Sequence, residues 1–152
     1  MLILVDTREQ TPFALPAGIR ANRATLATGD YSLAGLETLV AVERKSLPDL
    51  VACIGPERER FKRELLRLRS YRCRAVIVEA ALAEVMAHKY RSNIKPAAVL
   101  GSVASWQTRF DVPFVWAGSH GAEFLLAMFR NFLRQVRELT EAVAVQLPEV
   151  TT

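Results

Sequence analysis

The chain has little of what small scaffolds and metal clusters are usually built from. Its two cysteines, Cys53 and Cys73, stand apart with no CxxC pair and no neighbouring histidine, so neither a disulfide framework nor a zinc site is expected. Both are read as buried free thiols, and a reducing cytoplasmic setting follows, nucleoid-associated if the source is bacterial. The two histidines, His88 and His120, are isolated and read as ordinary solvent-edge or capping residues. With 7 Gly and 7 Pro in 152 residues, collagen-like and low-complexity chains are excluded. No apolar run approaches the roughly 20 residues that span a bilayer, and the opening Met1–Val5 stretch is cut off by Asp6 and Arg8, so no signal peptide or membrane helix is expected. Lysine is scarce too: 4 Lys stand against 16 Arg.

What remains is a chain of 51% hydrophobic and 24% charged residues, enough to bury one real core and too short for two ordinary domains. Its net charge of +4 is unevenly spread. Between Glu57 and Arg74 eight bases face three acids, so this one segment carries a surplus of five and the remainder is slightly acidic. Such a stripe suits a DNA backbone; the competing reading is a solvated helix face laced with pairs such as Glu59–Arg63 and Glu64–Arg67. A second basic stretch, Lys89-Tyr90-Arg91-Ser92-Asn93-Ile94-Lys95, is either a phosphate-tracking loop with an aromatic or a polar connector.

Hydrophobic patterning predicts a strand over 1–6, then short segments at 23–26, 31–33 and 38–43 separated by turns, a β meander. From Ser46 the period becomes helical. Ser46 caps, Pro48 and Asp49 occupy the first turn, Leu47, Leu50, Val51 and Ile54 form the apolar face, and Gly55-Pro56 ends the helix. Further helices are predicted over 57–71, 95–109 and 121–140, with buried strands at 74–79 and 114–116. A meander followed by alternating strands and helices implies an α/β fold with a mixed central sheet covered by helices on both faces.

The chemistry concentrates at strand ends. Asp6 closes the first strand, Asp30 follows Gly29, and Glu43-Arg44-Lys45 lies near the end of another strand. Alternation places Glu43 and Lys45 on one side and turns Arg44 to the other. Two or three carboxylates converging from neighbouring strands suffice for Mg²⁺, which keeps several waters. A lysine beside them can position or deprotonate an attacking water, or stabilise charge on a phosphoryl group. For those residues alone, a solvated Glu–Lys pair on a strand edge is the competing reading.

The wider pattern decides between them. Gly29-Asp30, a twelve-residue spacer, Glu43-Arg44-Lys45, three residues and Asp49 together resemble the XPF-type (Mus-type, ERCC4-type) structure-specific endonuclease domain, a branch of the PD-(D/E)XK nucleases with a restriction-endonuclease-like fold. Val5-Asp6-Thr7-Arg8-Glu9, Tyr31, Val42, Leu50 and a strand closing on Glu79 extend the resemblance over residues 1–140, leaving 141–152 as a tail. It implies a DNA endonuclease dependent on Mg²⁺ or Mn²⁺, acting at branched, flap or fork junctions. Asp30 and Glu43 are then the metal ligands, with Asp6 and Glu9 contributing directly or through water, and Lys45 is the catalytic lysine. Arg44 and Asp49 hold the site, pairing with each other across the first turn of the helix, and Arg8 either contacts phosphate or pairs with Glu9 or Glu43. Arg60 and Arg63, and more loosely Lys89 and Arg91, are the DNA contacts.

The helix-hairpin-helix module common after such domains is not found, which leaves room for a separate DNA-targeting protein. It also keeps two alternatives open: a non-catalytic DNA-binding paralogue, and a restriction or phage-recombination type nuclease without junction preference. The long last helix carries Phe124, Leu125, Met128, Phe129, Phe132 and Leu133 on more than one face, as either a homodimer interface or monomer core.

Overall fold

The structure, a computed structural model, describes residues 1–146. A six-stranded mixed sheet forms the centre: β1 (Leu2–Asp6), β2 (Arg20–Ala24), β3 (Tyr31–Leu33), β4 (Val40–Lys45), β5 (Cys73–Val78) and β6 (Phe114–Trp116), in spatial order β2-β1-β3-β4-β5-β6. The strands β4, β5 and β6 are parallel, β3 is antiparallel to both neighbours, and β2 runs parallel to β1. The expected mixed α/β architecture is therefore present, with one change. The second strand begins at Arg20 rather than Arg23 and is not part of a meander, because the 7–19 loop carries the chain back to the start of β1. Its sequence, Arg-Ala-Asn-Arg-Ala, suits an edge that must stay wet.

Each sheet face has its own core. On one, Ala41, Val76 and Val78 pack under α1 (Leu47–Ile54), α2 (Arg58–Leu68), α3 (Leu82–Met86) and α4 (Pro96–Phe110), whose Leu50, Phe61, Leu65, Val85 and Trp106 are buried. On the other, Val40, Val42, Ala75 and Ile77 lie beneath α5 (Gly121–Gln146) with Leu125, Leu126, Phe129 and Phe132. The parallel strands read as unbroken apolar runs because both their faces are covered.

The last helix spends most of its aromatic surface on its own sheet and leaves Phe124 and Leu139 exposed. It continues six residues past the predicted end at 140, into the expected tail; residues 147–152 lie outside the described residues. Both cysteines are free and buried. Among the described residues no helix is long and apolar enough to cross a membrane.

Candidate active site

The Gly29-Asp30 pair is fixed by the backbone of three strands. Gly29 has φ +77°, and a Cβ there would sit 2.9 Å from the Val42 carbonyl oxygen, so only glycine allows β4 to approach this closely. The Asp30 amide then donates to the Val42 carbonyl at 2.8 Å, and the Asp30 carbonyl accepts from the Asp6 amide at 2.8 Å. Pinned between β1 and β4, Asp30 turns its carboxylate to the β4 backbone, where the Arg44 amide donates to Oδ2 at 2.8 Å. Burial pushes this carboxyl up to about 6; the Arg44 amide and Lys45 pull against that, while Glu9 and Glu64 add repulsion.

Strand alternation along β4 separates the next three residues as expected. Glu43, only 7% exposed, accepts from Lys45 Nζ on the α1–α2 side, and Lys45 also lies over the Phe61 ring of α2 at 5.4 Å. Burial drives Glu43 up to about 7 against the pull of Lys45, with Asp30 and Glu64 adding repulsion. Desolvation works to lower Lys45, but the facing Glu43 outweighs it and holds the lysine protonated. Arg44 points to the α5 side, over the Phe13 ring at 5.7 Å. It does not pair with Asp49: its guanidinium binds Glu79 at the end of β5, reaches Glu9 at 3.6 Å and donates to Thr11 Oγ1 at 3.0 Å. Asp49 instead completes the α1 cap, its amide donating to Ser46 Oγ.

Asp6 is neutralised from within the chain. Arg8 folds back over two residues, donating from Nε to Oδ1 at 2.6 Å and from a terminal nitrogen to Oδ2 at 3.0 Å, and the amides of Arg8 and Leu26 add bonds at 2.8 and 2.7 Å. Burial works to raise the Asp6 carboxyl, yet these donors outweigh it and hold it below its ordinary value. Arg8 therefore pairs with Asp6, rather than with Glu9 or Glu43, the ion-pair alternative to a phosphate contact. Glu9 has its Oε1 bonded by the Thr11 amide at 2.7 Å.

Asp6, Arg8, Glu9, Asp30, Glu43, Arg44, Lys45, Asp49 and Arg60 all line one cleft of about 320 Å³. Arg63 is not among its lining residues. Lys89 and Arg91 line a separate pocket. The basic surplus is divided as well: Arg58 packs over Trp106 and bonds Ser102, and Arg74 pairs with Asp111 at the opposite end of the sheet. The α2 face is partly laced as its spacing allowed, by Glu64–Arg67 and by Glu59–Lys62 in place of Glu59–Arg63.

Residues 5–128 match the ERCC4 domain family. The chain belongs to that family. The ERCC4 domain is also similar in structure to XPF from Aeropyrum pernix, with a TM-score of 0.68 at 21% identity, covering 99% of this chain and 76% of that one. A second structure, XPF from Aeropyrum pernix in complex with DNA, aligns with a TM-score of 0.67 at 20% identity, over 88% of this chain and 66% of that one. No curated protein matches the chain.

The geometry of this ERCC4 domain adds two residues that spacing did not single out as cleft residues. Glu64 and Arg67, on α2, both line the cleft, paired with each other at 2.8 Å. The signal for them is the helical period: Phe61, Leu65 and Leu68 are buried, and Glu64 and Arg67 each sit one position before a buried leucine, on the flank of the stripe that faces β4. Among the described residues no three acidic, histidine or cysteine side chains converge into a closed metal cage. The centre is instead an open pair, Asp30 and Glu43, both raised chiefly by burial, with Glu64 repelling each. Two hard oxygen donors, with only Lys45 and one amide set against them, fit a divalent cation that retains most of its water.

Proposed function

We propose that this ERCC4 domain hydrolyses DNA phosphodiester bonds with Mg²⁺ or Mn²⁺, at branched, flap or fork junctions. The observation that carries the reading is the open Asp30–Glu43 pair beside a protonated Lys45, in a cleft also lined by Arg8, Arg60 and Arg67. Asp30 and Glu43 would hold the cation, which when bound would polarise the scissile phosphate and lower the pKa of the attacking water. Lys45, kept charged by Glu43, would stabilise the negative charge that builds on the phosphoryl oxygens as water adds to phosphorus and the bridging P–O bond breaks. Asp6 and Arg8 would brace the cleft wall, and Arg44, through Glu79 and Glu9, would fix the β4 backbone whose amide orients Asp30. Arg60 and Arg67 would neutralise flanking phosphates. Junction preference would need DNA contacts beyond these, for which a second copy or a separate targeting protein is one source.

The test incubates wild type, Asp30→Ala and Lys45→Ala with flap, fork and linear duplex DNA, with and without Mg²⁺ or Mn²⁺. The expected result is metal-dependent cutting of branched substrates by wild type, abolished in both variants. Equal cutting of all substrates would keep the chemistry and remove the junction preference; no cutting of any would leave a DNA-binding module.

A further inference from the structure

A second pocket, of about 450 Å³, opens on the other flank of α1 from the catalytic cleft. Its volume lies in the range of small-molecule sites, ~300–1,000 Å³. Pro48, Val51, Ala52 and Pro56 form the wall from α1 and the turn after it; Tyr90 and Ile94 form the other wall, with Lys89, Arg91 and Ser92. None of the nine lining residues is acidic, and two are exposed cations. The loop that closes it is built rather than slack. His88 adopts φ 53°, packs against Tyr90 with the rings tilted by 33° and their centres 4.4 Å apart, and bonds the Ser92 carbonyl through Nε2 at 2.8 Å. The Tyr90 hydroxyl donates to the Ile94 carbonyl at 2.7 Å. An aromatic held in place, apolar walls and a cationic rim are the features that accept a base and the phosphates beside it.

Position selects the occupant. The adjacent residues Pro48 and Asp49 line the two openings separately, Pro48 this pocket and Asp49 the catalytic cleft. A strand leaving the cleft over the first turn of α1 meets this pocket next. A paired base is committed to its duplex stack, whereas an unpaired one is free to enter. We propose that this pocket takes an unpaired nucleobase of the bound DNA, so that α1 separates the catalytic cleft from a site that reads single-stranded character. The inference rests on the DNA reading above and supplies, within this chain, one physical source of preference for flaps over plain duplex.

The experiment uses the whole chain in EDTA, so that nothing is cut. Two probes are compared: a blunt duplex, and the same duplex with a short single-stranded arm carrying 2-aminopurine at its first unpaired position. Wild type should bind the armed probe at least about tenfold more tightly, as one stacked base allows, and quench the 2-aminopurine fluorescence. Ala52→Phe, which fills the pocket, should abolish both effects and leave blunt-duplex affinity unchanged; Tyr90→Ala should abolish the quenching. Equal affinity of wild type for both probes, an unquenched arm, or a preference that survives Ala52→Phe would overturn the pocket assignment, and a pocket serving a protein partner gives that last result. The wild-type fluorescence decides even where a variant fails to fold. Binding of neither probe would instead overturn the DNA reading itself.

Discussion

At the end of β1, Asp6 is 1% exposed and has both carboxylate oxygens engaged by the Arg8 guanidinium, with two backbone amides added. Across β3, Asp30 and Glu43 are also largely buried, yet Asp30 accepts from one amide and Glu43 from one lysine, and both carboxyls are pushed up, to about 6 and about 7. The two regions begin with the same residue type at the same kind of position. A buried carboxylate demands positive charge. Where the chain supplies it, as at Asp6, the acid is compensated within the fold; where the chain supplies less, the proposed function has a cation meet the demand. Partner count, more than strand position, separates the two.

The largest expected effect divides the regions by readout. Asp30→Ala should reduce cleavage to about a thousandth or less, in line with the loss of a major electrostatic contribution to the transition state, while urea unfolding stays within about 1 kcal/mol of wild type, since the lost bond is offset by relief of repulsion. Asp6→Ala should do the reverse. Removing four donors' shared acceptor costs about 2–4 kcal/mol, with the folded fraction still cutting. Equal destabilisation by both substitutions would erase the distinction.

The pH dependence of the metal-free protein should carry opposite signs for the two regions. Asp30 has a folded pKa above its unfolded value near 4, so between about pH 4 and 6 the folded state binds the extra proton, and stability falls as pH rises through that window. Asp6 lies below its ordinary value, so its contribution is present above about pH 4 and lost as pH falls through its folded pKa. In EDTA, the unfolding free energy of Asp30→Asn relative to wild type should therefore grow in the variant's favour by about 2 kcal/mol between pH 4.5 and pH 8. Adding Mg²⁺ at pH 8 should stabilise wild type and not the variant. A difference independent of pH would show that Asp30 is as well compensated as Asp6.

Part of this contrast was legible in the sequence, and the rest depended on tertiary packing. The spacing from Gly29-Asp30 through Glu43-Arg44-Lys45 to Asp49 identified the cleft because strand alternation is local: it fixes which side of β4 each residue faces whatever else folds around it. The Ser46 cap was legible for the same reason. The partners were not. Arg8 can reach Asp6 only because the turn after β1 folds back, and Arg44 reaches Glu79 because β4 and β5 align in parallel with Arg44 opposite Ile77. Nor was the placement of β2 legible, since a polar edge strand has no apolar face to fix its register. Glu64 read as one more charge on a polar helix face until α2 was seen against β4.

The same distinction extends to the arginines, where the expected effects are smallest. Arg60 and Arg67 line the cleft, and their carboxylate partners Glu57 and Glu64 are exchangeable for phosphate at an exposed surface. Arg74, at the far end of the sheet, is held by Asp111 and by the carbonyls of Asp111 and Tyr71. If cleft lining marks function, Arg60→Ala and Arg67→Ala should each flatten the dependence of log affinity for duplex DNA on log salt by about 0.9, the value of one released counterion. Arg74→Ala should leave that slope unchanged and lower stability slightly. Arg63→Ala, at a residue outside the cleft with the same charge on the same helix, is the control. A slope change at Arg63 equal to that at Arg60 would mean that the whole basic helix meets the backbone; a change confined to Arg60 and Arg67 would mean that DNA reads the cleft wall alone.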